Sequence, residues 1–148
     1  MSISLENLPV PSVASVVRVA CGLFYVPHIL FKLNGLESSF AFFAKAGFYP
    51  AQLWVYLALV TEAACLVGLT FNILTRYVGL MSAGVMATAA YAIFSTKGVG
   101  WLWNLGGVEY LVFWGLASLA VAAEAWKEEW AAGRAPAPAP SAAAPRAI

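Results

Sequence analysis

Charge is what this sequence has least of. Charged residues make up 10% of its 148 positions, against 62% hydrophobic residues, and the net charge is near +1. A soluble domain of this length has more surface than so few charges can cover. A basic face is missing, which excludes a nucleic-acid partner. There is one His, His28, so a bis-histidine haem cannot be held within one subunit. The two cysteines, Cys21 and Cys65, form neither CxxC nor CxxCH, which removes the metal and c-type haem motifs. Phosphate-binding, hydrolase and dehydrogenase fingerprints are absent, as is an internal repeat. The apolar runs do not alternate every second residue, which argues against a transmembrane barrel. No Lys or Arg precedes the first run, and Arg18 lies inside it. Despite "RVACG" at 18–22, that run is therefore expected to stay in the chain rather than be cleaved as a signal.

What remains is one integral membrane unit. About 20 helical residues cross a bilayer, and four runs meet that length: 10–32, 50–72, 76–95 and 107–126. The connection "FNILTR" between the second and third is so short that those helices must be antiparallel. The expected fold is all-α: an antiparallel four-helix transmembrane bundle over residues 10–130, after a short N-terminal segment, 1–9. Between helices one and two, "LNGLESSFAFFAKAGFYP" mixes Leu36, Phe40, Phe43 and Phe48 with Glu37, Ser38, Ser39 and Lys45. That mixture predicts a short interfacial helix. Trp54, Tyr56, Trp101 and Trp103 fall at one level and Trp126 and Trp130 at the other, as in an aromatic belt; lining a cavity is the other reading of these rings. Residues 131–148 are an Ala/Pro-rich tail that cannot build a core. Arg76, Lys127, Arg134 and Arg146 lie on the side of the N-terminus, and Lys32, Lys45 and Lys97 on the other. This bias places both termini in the cytoplasm.

Arg18, Cys21, Tyr25, His28 and Lys32 are spaced 3, 4, 3 and 4 apart, one stripe of a helix. Facing lipid it would be costly, so it is expected to point inward. Pro27 removes a backbone donor and predicts a kink there. With a rise of about 1.5 Å per residue, His28 lies roughly 10 Å and Glu109 roughly 11 Å from the middle, on the same side. Arg18 lies roughly 4 Å and Glu62 roughly 1–2 Å on the other side. Two layers follow: a buried ion pair of Arg18 with Glu62, and His28 or Lys32 with Glu109. A structural explanation stands beside each. The Arg18–Glu62 pair can fix register without chemistry, and Lys32 can snorkel to the headgroups. His28 and Glu109 can change protonation near an aqueous face, which points to proton handling. Cys21 and Cys65 read as small apolar filler, and Gly68, Gly79, Gly84 and Gly115 as points of close helix approach.

Taken together, Arg18 and Gly22, "HILFKLNG", "FFAKAGFYP", "TEAACLVGLTFNILTR" and "GGVEYLV" resemble the DoxX family of small four-helix membrane proteins, over residues 14–126. Tyr49–Pro50 stands where a Phe–Pro is expected. The resemblance implies a link to membrane redox systems, since DoxX is named for the small subunit of an archaeal thiosulfate–quinone oxidoreductase. It also implies a polar centre of Arg18, His28, Lys32, Glu62 and Glu109.

Two functions fit. In the first, the chain is a subunit of a membrane redox system, an oxidoreductase component of the cell inner membrane. Quinone binds among Tyr25, His28, Lys32, Trp103 and Glu109. His28 donates a hydrogen bond, Glu109 carries protons, and Tyr25 or Trp103 packs on the ring. Electrons come from a partner redox subunit or a small reductant, a sulfur compound being one candidate. In the second, it is a non-catalytic anchor or assembly subunit of a larger complex or homo-oligomer. A proton-coupled carrier is a weaker third, because four short helices leave little room for a path.

Overall fold

The computed structural model describes residues 11–134, which are 84% helical with no strand. The expected N-terminal segment 1–9 and the tail beyond residue 134 lie outside the described residues. Ser12 sets the first boundary. Its hydroxyl accepts the Ser15 N–H at 3.1 Å, so α1 begins at Val13 and runs to Leu23. Phe24 separates it from α2, Tyr25–Asn34. Pro27 has no N–H to offer the Leu23 carbonyl one turn back, so the helical ladder is interrupted where the proline predicts it. Gly35 divides α2 from α3, Leu36–Lys45, and its carbonyl accepts from both Ser38 and Ser39 hydroxyls, at 2.8 and 2.9 Å. Glu37 in the first turn of α3 and Lys45 in the last complement its dipole.

Helix α4 spans Ala51–Phe71 and α5 spans Thr75–Lys97. Asn72 takes a left-handed conformation between them (φ 59°), which Asn tolerates, and Ile73 donates back to the Gly68 carbonyl at 2.8 Å. A short 3₁₀ turn, Trp103–Leu105, precedes α6, Glu109–Arg134. Helix α1 packs on α4 and α6, α4 on α5, and α5 on α6, while α2 and α3 lie against α4. Inward stripes line this cluster: Val55, Leu59, Glu62, Cys65 and Leu69 on α4; Gly79, Ser82 and Met86 on α5; Leu111, Trp114, Ser118 and Val121 on α6.

Three segments, 13–34, 51–71 and 75–97, are long and apolar enough to cross a membrane. Their outer faces agree: Phe31, Val60 and Leu80 are exposed, as side chains bound for lipid should be. The fourth expected run departs from its reading. Helix α6 is longer than 107–126, continuing through Glu128 and Glu129 to Arg134, and it takes in the first residues assigned to the tail. Glu109 and Glu124 bracket an uncharged stretch, 110–123, that reaches only about 21 Å. Its lower turns are held by polar contacts instead. Arg76 pairs with Glu129 and lies over the rings of Tyr77 and Trp126, 4.6 and 4.8 Å from their centroids. A short helix, α3, is present in this connection: its Phe40 meets Tyr56 of α4 at 5.9 Å, and Phe48, in the turn that follows it, meets Trp54 of α4 at 5.2 Å and Tyr91 of α5 at 5.7 Å.

Close approach of α5 and α6 depends on Gly79. A Cβ there would lie 2.8 Å from the Ser118 carbonyl oxygen and 2.9 Å from the Ala122 Cβ, both on a packed helix that cannot easily give. Gly84 corrects the expectation made for it, since a Cβ at that position would meet nothing within 4 Å. Gly79→Ala is therefore expected to cost about 1–3 kcal/mol of stability. Gly84→Ala should be neutral or slightly stabilising. Thermal unfolding of the two variants in detergent checks the contrast.

Candidate functional site

The stripe on the first span does face inward. Cys21 and Tyr25 are buried, and Arg18, His28 and Lys32 are partly buried. Their partners differ from the expected layers. Lys32 Nζ donates to Glu62 Oε1 at 2.6 Å, with side chains 15% and 7% exposed. Arg18 does not reach Glu62. Its guanidinium donates to the Leu69 carbonyl and, at 3.1 Å, to the Thr70 carbonyl.

The physical reason lies in where α4 ends. The last four carbonyls of a helix have no intrahelical partner. With α4 closing at Phe71, those of Leu69 and Thr70 are such groups, and a guanidinium at the negative end of the helix dipole satisfies them. Leu69 is seven residues beyond Glu62, about 10 Å along the helix, so one arginine cannot serve both. Lys32 takes the carboxylate because helical side chains lean toward the N-terminus of their own helix, which brings its long stem back from the end of α2.

His28 and Glu109 are not paired either. The His28 ring packs against Trp114 at 5.4 Å, and Trp114 also meets Tyr25 at 4.7 Å and Phe24 at 6.0 Å. Between α2 and α6 these rings border a cleft of about 260 Å³, lined by Phe24, Pro27, His28, Tyr110, Phe113 and Trp114. It opens at the outer surface, where Phe24 and Phe113 are exposed. Of the residues expected at a quinone site, His28 alone lines this cleft. Tyr25 lies behind it under Trp114, and Lys32 is engaged with Glu62. Trp103 is exposed on the 3₁₀ turn. Glu109, half-buried, opens α6 beside Tyr110, and its carboxylate has no hydrogen bond or ion pair among the described residues.

A second polar feature lies deeper. The Tyr25 hydroxyl is 2.7 Å from Ser82 Oγ, which is 2.8 Å from Ser118 Oγ. All three residues are fully buried, on α2, α5 and α6. Cys21 and Cys65 belong to the same core and are free thiols. Three buried polar atoms have no hydrogen-bond partner among the described residues: Glu62 Oε2, Thr70 Oγ1 and Trp114 Nε1. No group of three or more metal-ligating side chains occurs among the described residues. Sequence reasoning missed Ser82, Ser118 and Trp114. The spacing argument used for the first span finds them, since Leu111, Trp114, Ser118 and Val121 repeat at 3, 4 and 3, and Gly79, Ser82 and Met86 at 3 and 4.

Among comparisons with known proteins, the family model DoxX matches residues 13–95, more than half of the chain. Curated proteins and solved structures give no match.

The pairing has a direct test in stability. Removing one member of a buried ion pair leaves the other uncompensated, so Lys32→Met or Glu62→Met alone should cost about 3–5 kcal/mol. The double variant should recover much of that loss, whereas Arg18→Met with Glu62→Met should be additive. Unfolding of the three single and two double variants in detergent measures both couplings.

Proposed function

The chain belongs to the DoxX family, and from that premise we propose that this multi-pass membrane protein is a redox subunit that binds a quinone ring in the His28 cleft. In this reading α6 is the fourth crossing of an antiparallel bundle, and α3 lies along the interface. Both termini are cytoplasmic, and the bilayer is the cell inner membrane. The observation that carries the proposal is the cleft itself. It has room for one aromatic ring, apolar walls of Phe24, Pro27 and Phe113, and an opening on a lipid-facing surface, where a long apolar tail would lie. The His28 ring, which borders it, carries an N–H that a quinone carbonyl can use.

On this account the Trp114 face stacks on the ring, replacing Trp103 in that role. Glu109, next to Tyr110 of the cleft wall, passes protons from the aqueous loop side. Tyr25 and the Lys32–Glu62 pair support the cleft from behind rather than touching the ring. Electrons arrive from a partner subunit or a small reductant, with a sulfur compound as the family's example. The second reading, a non-catalytic anchor or assembly subunit, is supported by Arg18, whose hydrogen bonds go to the end of a helix and hold packing rather than a ligand.

A photoreactive short-chain quinone, applied to the purified protein in nanodiscs, separates them. The first reading expects label on residues 24–28 and 110–114, competed by unmodified quinone. His28→Ala should weaken binding about tenfold, the worth of one hydrogen bond. Label scattered over the lipid-facing surface, or binding indifferent to His28, favours the anchor. In the redox reading Glu109→Gln slows quinol formation while leaving the fold and quinone binding intact. In the anchor reading it changes assembly with a partner and leaves turnover per complex unchanged.

A further inference from the structure

The walls of the cleft belong to two pieces of chain. Phe24, Pro27 and His28 stand on the first span, and Tyr110, Phe113 and Trp114 on α6. Helix α1 packs on α6, but α2 packs chiefly on α4. Pro27 leaves the helical ladder between α1 and α2 one bond short, so α1 does not stiffly fix the angle of α2. Side chains must therefore hold the α2 wall in its place opposite α6.

Behind the cleft, a row of hydroxyls does so. The Tyr25 hydroxyl on α2 is 2.7 Å from Ser82 Oγ on α5, which is 2.8 Å from Ser118 Oγ on α6. All three residues are fully buried. Among the described residues, Tyr25 makes the one hydrogen bond from α2 to α5 or α6, since Lys32 turns to α4. Helices α5 and α6 are closely packed at this level, where Gly79 admits the Ser118 carbonyl. Tyr25 is thus tied to a stiff pair of helices.

This tie reaches the cleft through one ring contact. The Tyr25 ring lies 4.7 Å from that of Trp114, whose other neighbours are His28 and Phe24. Trp114 and Ser118 stand one turn apart on α6, so both ends of the hydroxyl row meet the Trp114 wall. Contacts between rings are tolerant of sliding, whereas a hydrogen bond weakens steeply once it is bent or stretched. Apolar side chains at these positions would fill the core without any buried hydroxyl to satisfy. What the hydroxyls add is direction.

We propose that Ser82 is a positioning residue for the His28 cleft. By holding the Tyr25 hydroxyl against α5 and α6, it fixes the tilt of Trp114 and the spacing of the two walls. Neither serine touches the bound ring: Ser118 orients Ser82, Ser82 orients Tyr25, and Tyr25 backs Trp114. A flat ring entering the cleft then meets walls already set for it, and little affinity is lost to ordering them. The inference rests on the quinone reading of the cleft.

Fluorine magnetic resonance of the full chain in nanodiscs, with its six tryptophans replaced by 5-fluorotryptophan, tests this directly. Loss of one signal in Trp114→Phe identifies the Trp114 resonance. Ser82→Ala should shift or broaden that resonance, leave the other five in place, and weaken binding of a short-chain quinone about three- to tenfold. Tyr25→Phe should do the same, and the double variant should be no worse than either single one, because both remove the same hydrogen bond. An unmoved Trp114 resonance in Ser82→Ala overturns the inference. So do shifts spread over all six tryptophans, which mark a general packing role, and additive losses in the double variant. If Ser82→Ala does not fold, Tyr25→Phe, which keeps the ring, is read in the same way. Quinone photolabelling keeps the two ideas apart. A labelled cleft whose affinity is indifferent to Ser82→Ala removes the positioning role alone. A Trp114 resonance that responds in a protein whose cleft takes no label removes the quinone reading and leaves Ser82 as the residue that sets the walls.

Discussion

An ammonium group and a carboxylate, 2.6 Å apart among apolar helices, form the constraint on which the rest of this molecule depends. Each charge alone is costly in such a medium, and each is tolerated because the other is there. Lys32 stands near the end of the first span and Glu62 in the middle of α4, so their contact fixes how far the two helices slide past each other. Arg18 repeats the logic a few turns away by taking carbonyls that the end of α4 leaves unsatisfied. With both ends of the first span tied to α4, its remaining inward residues have set positions: Tyr25 against Ser82, and His28 against Trp114.

That registration also decides where the aromatic cleft opens. His28 is turned toward α6 rather than toward Glu62, because Lys32 already holds the carboxylate. It therefore meets Trp114, and the space beside the two rings opens at the outer surface of the helices. The hydroxyl chain lies on the inner side of the same Trp114–Tyr25 contact. One aromatic pair divides a cleft open at the outer surface from a sealed polar interior.

Much of this was legible in the sequence, and the reasons are specific. Run length located the helices to within a few residues for α4 and α5, because their ends carry strong signals, Pro50 at one and "FNILTR" at another. The 3, 4, 3, 4 spacing gave the inward face of the first span correctly. Pairing was less legible. Depth arithmetic assumed that opposite charges at similar levels would meet. Arg18 found helix-end carbonyls, which no side-chain pattern announces, and Lys32 reached back along its helix by the length of its stem. Glu109 looked like part of the centre because its level matches that of His28, but level says nothing about azimuth. Ser82 and Ser118 were overlooked because serine in an apolar run carries little weight until its stripe is known to face the core. The far end of α6 was misjudged for another reason. Its charged turns are held by contacts to Arg76, which hydropathy does not see.

The account is tested most directly by the Lys32–Glu62 contact in a bilayer. Solid-state magnetic resonance on protein carrying an isotope-labelled lysine side-chain nitrogen and glutamate carboxyl carbon reads that separation. It requires a strong dipolar coupling, consistent with the 2.6 Å nitrogen-to-oxygen distance, that disappears in Lys32→Met. A Glu62 carboxyl coupled instead to Arg18, or to no cation at all, would contradict it.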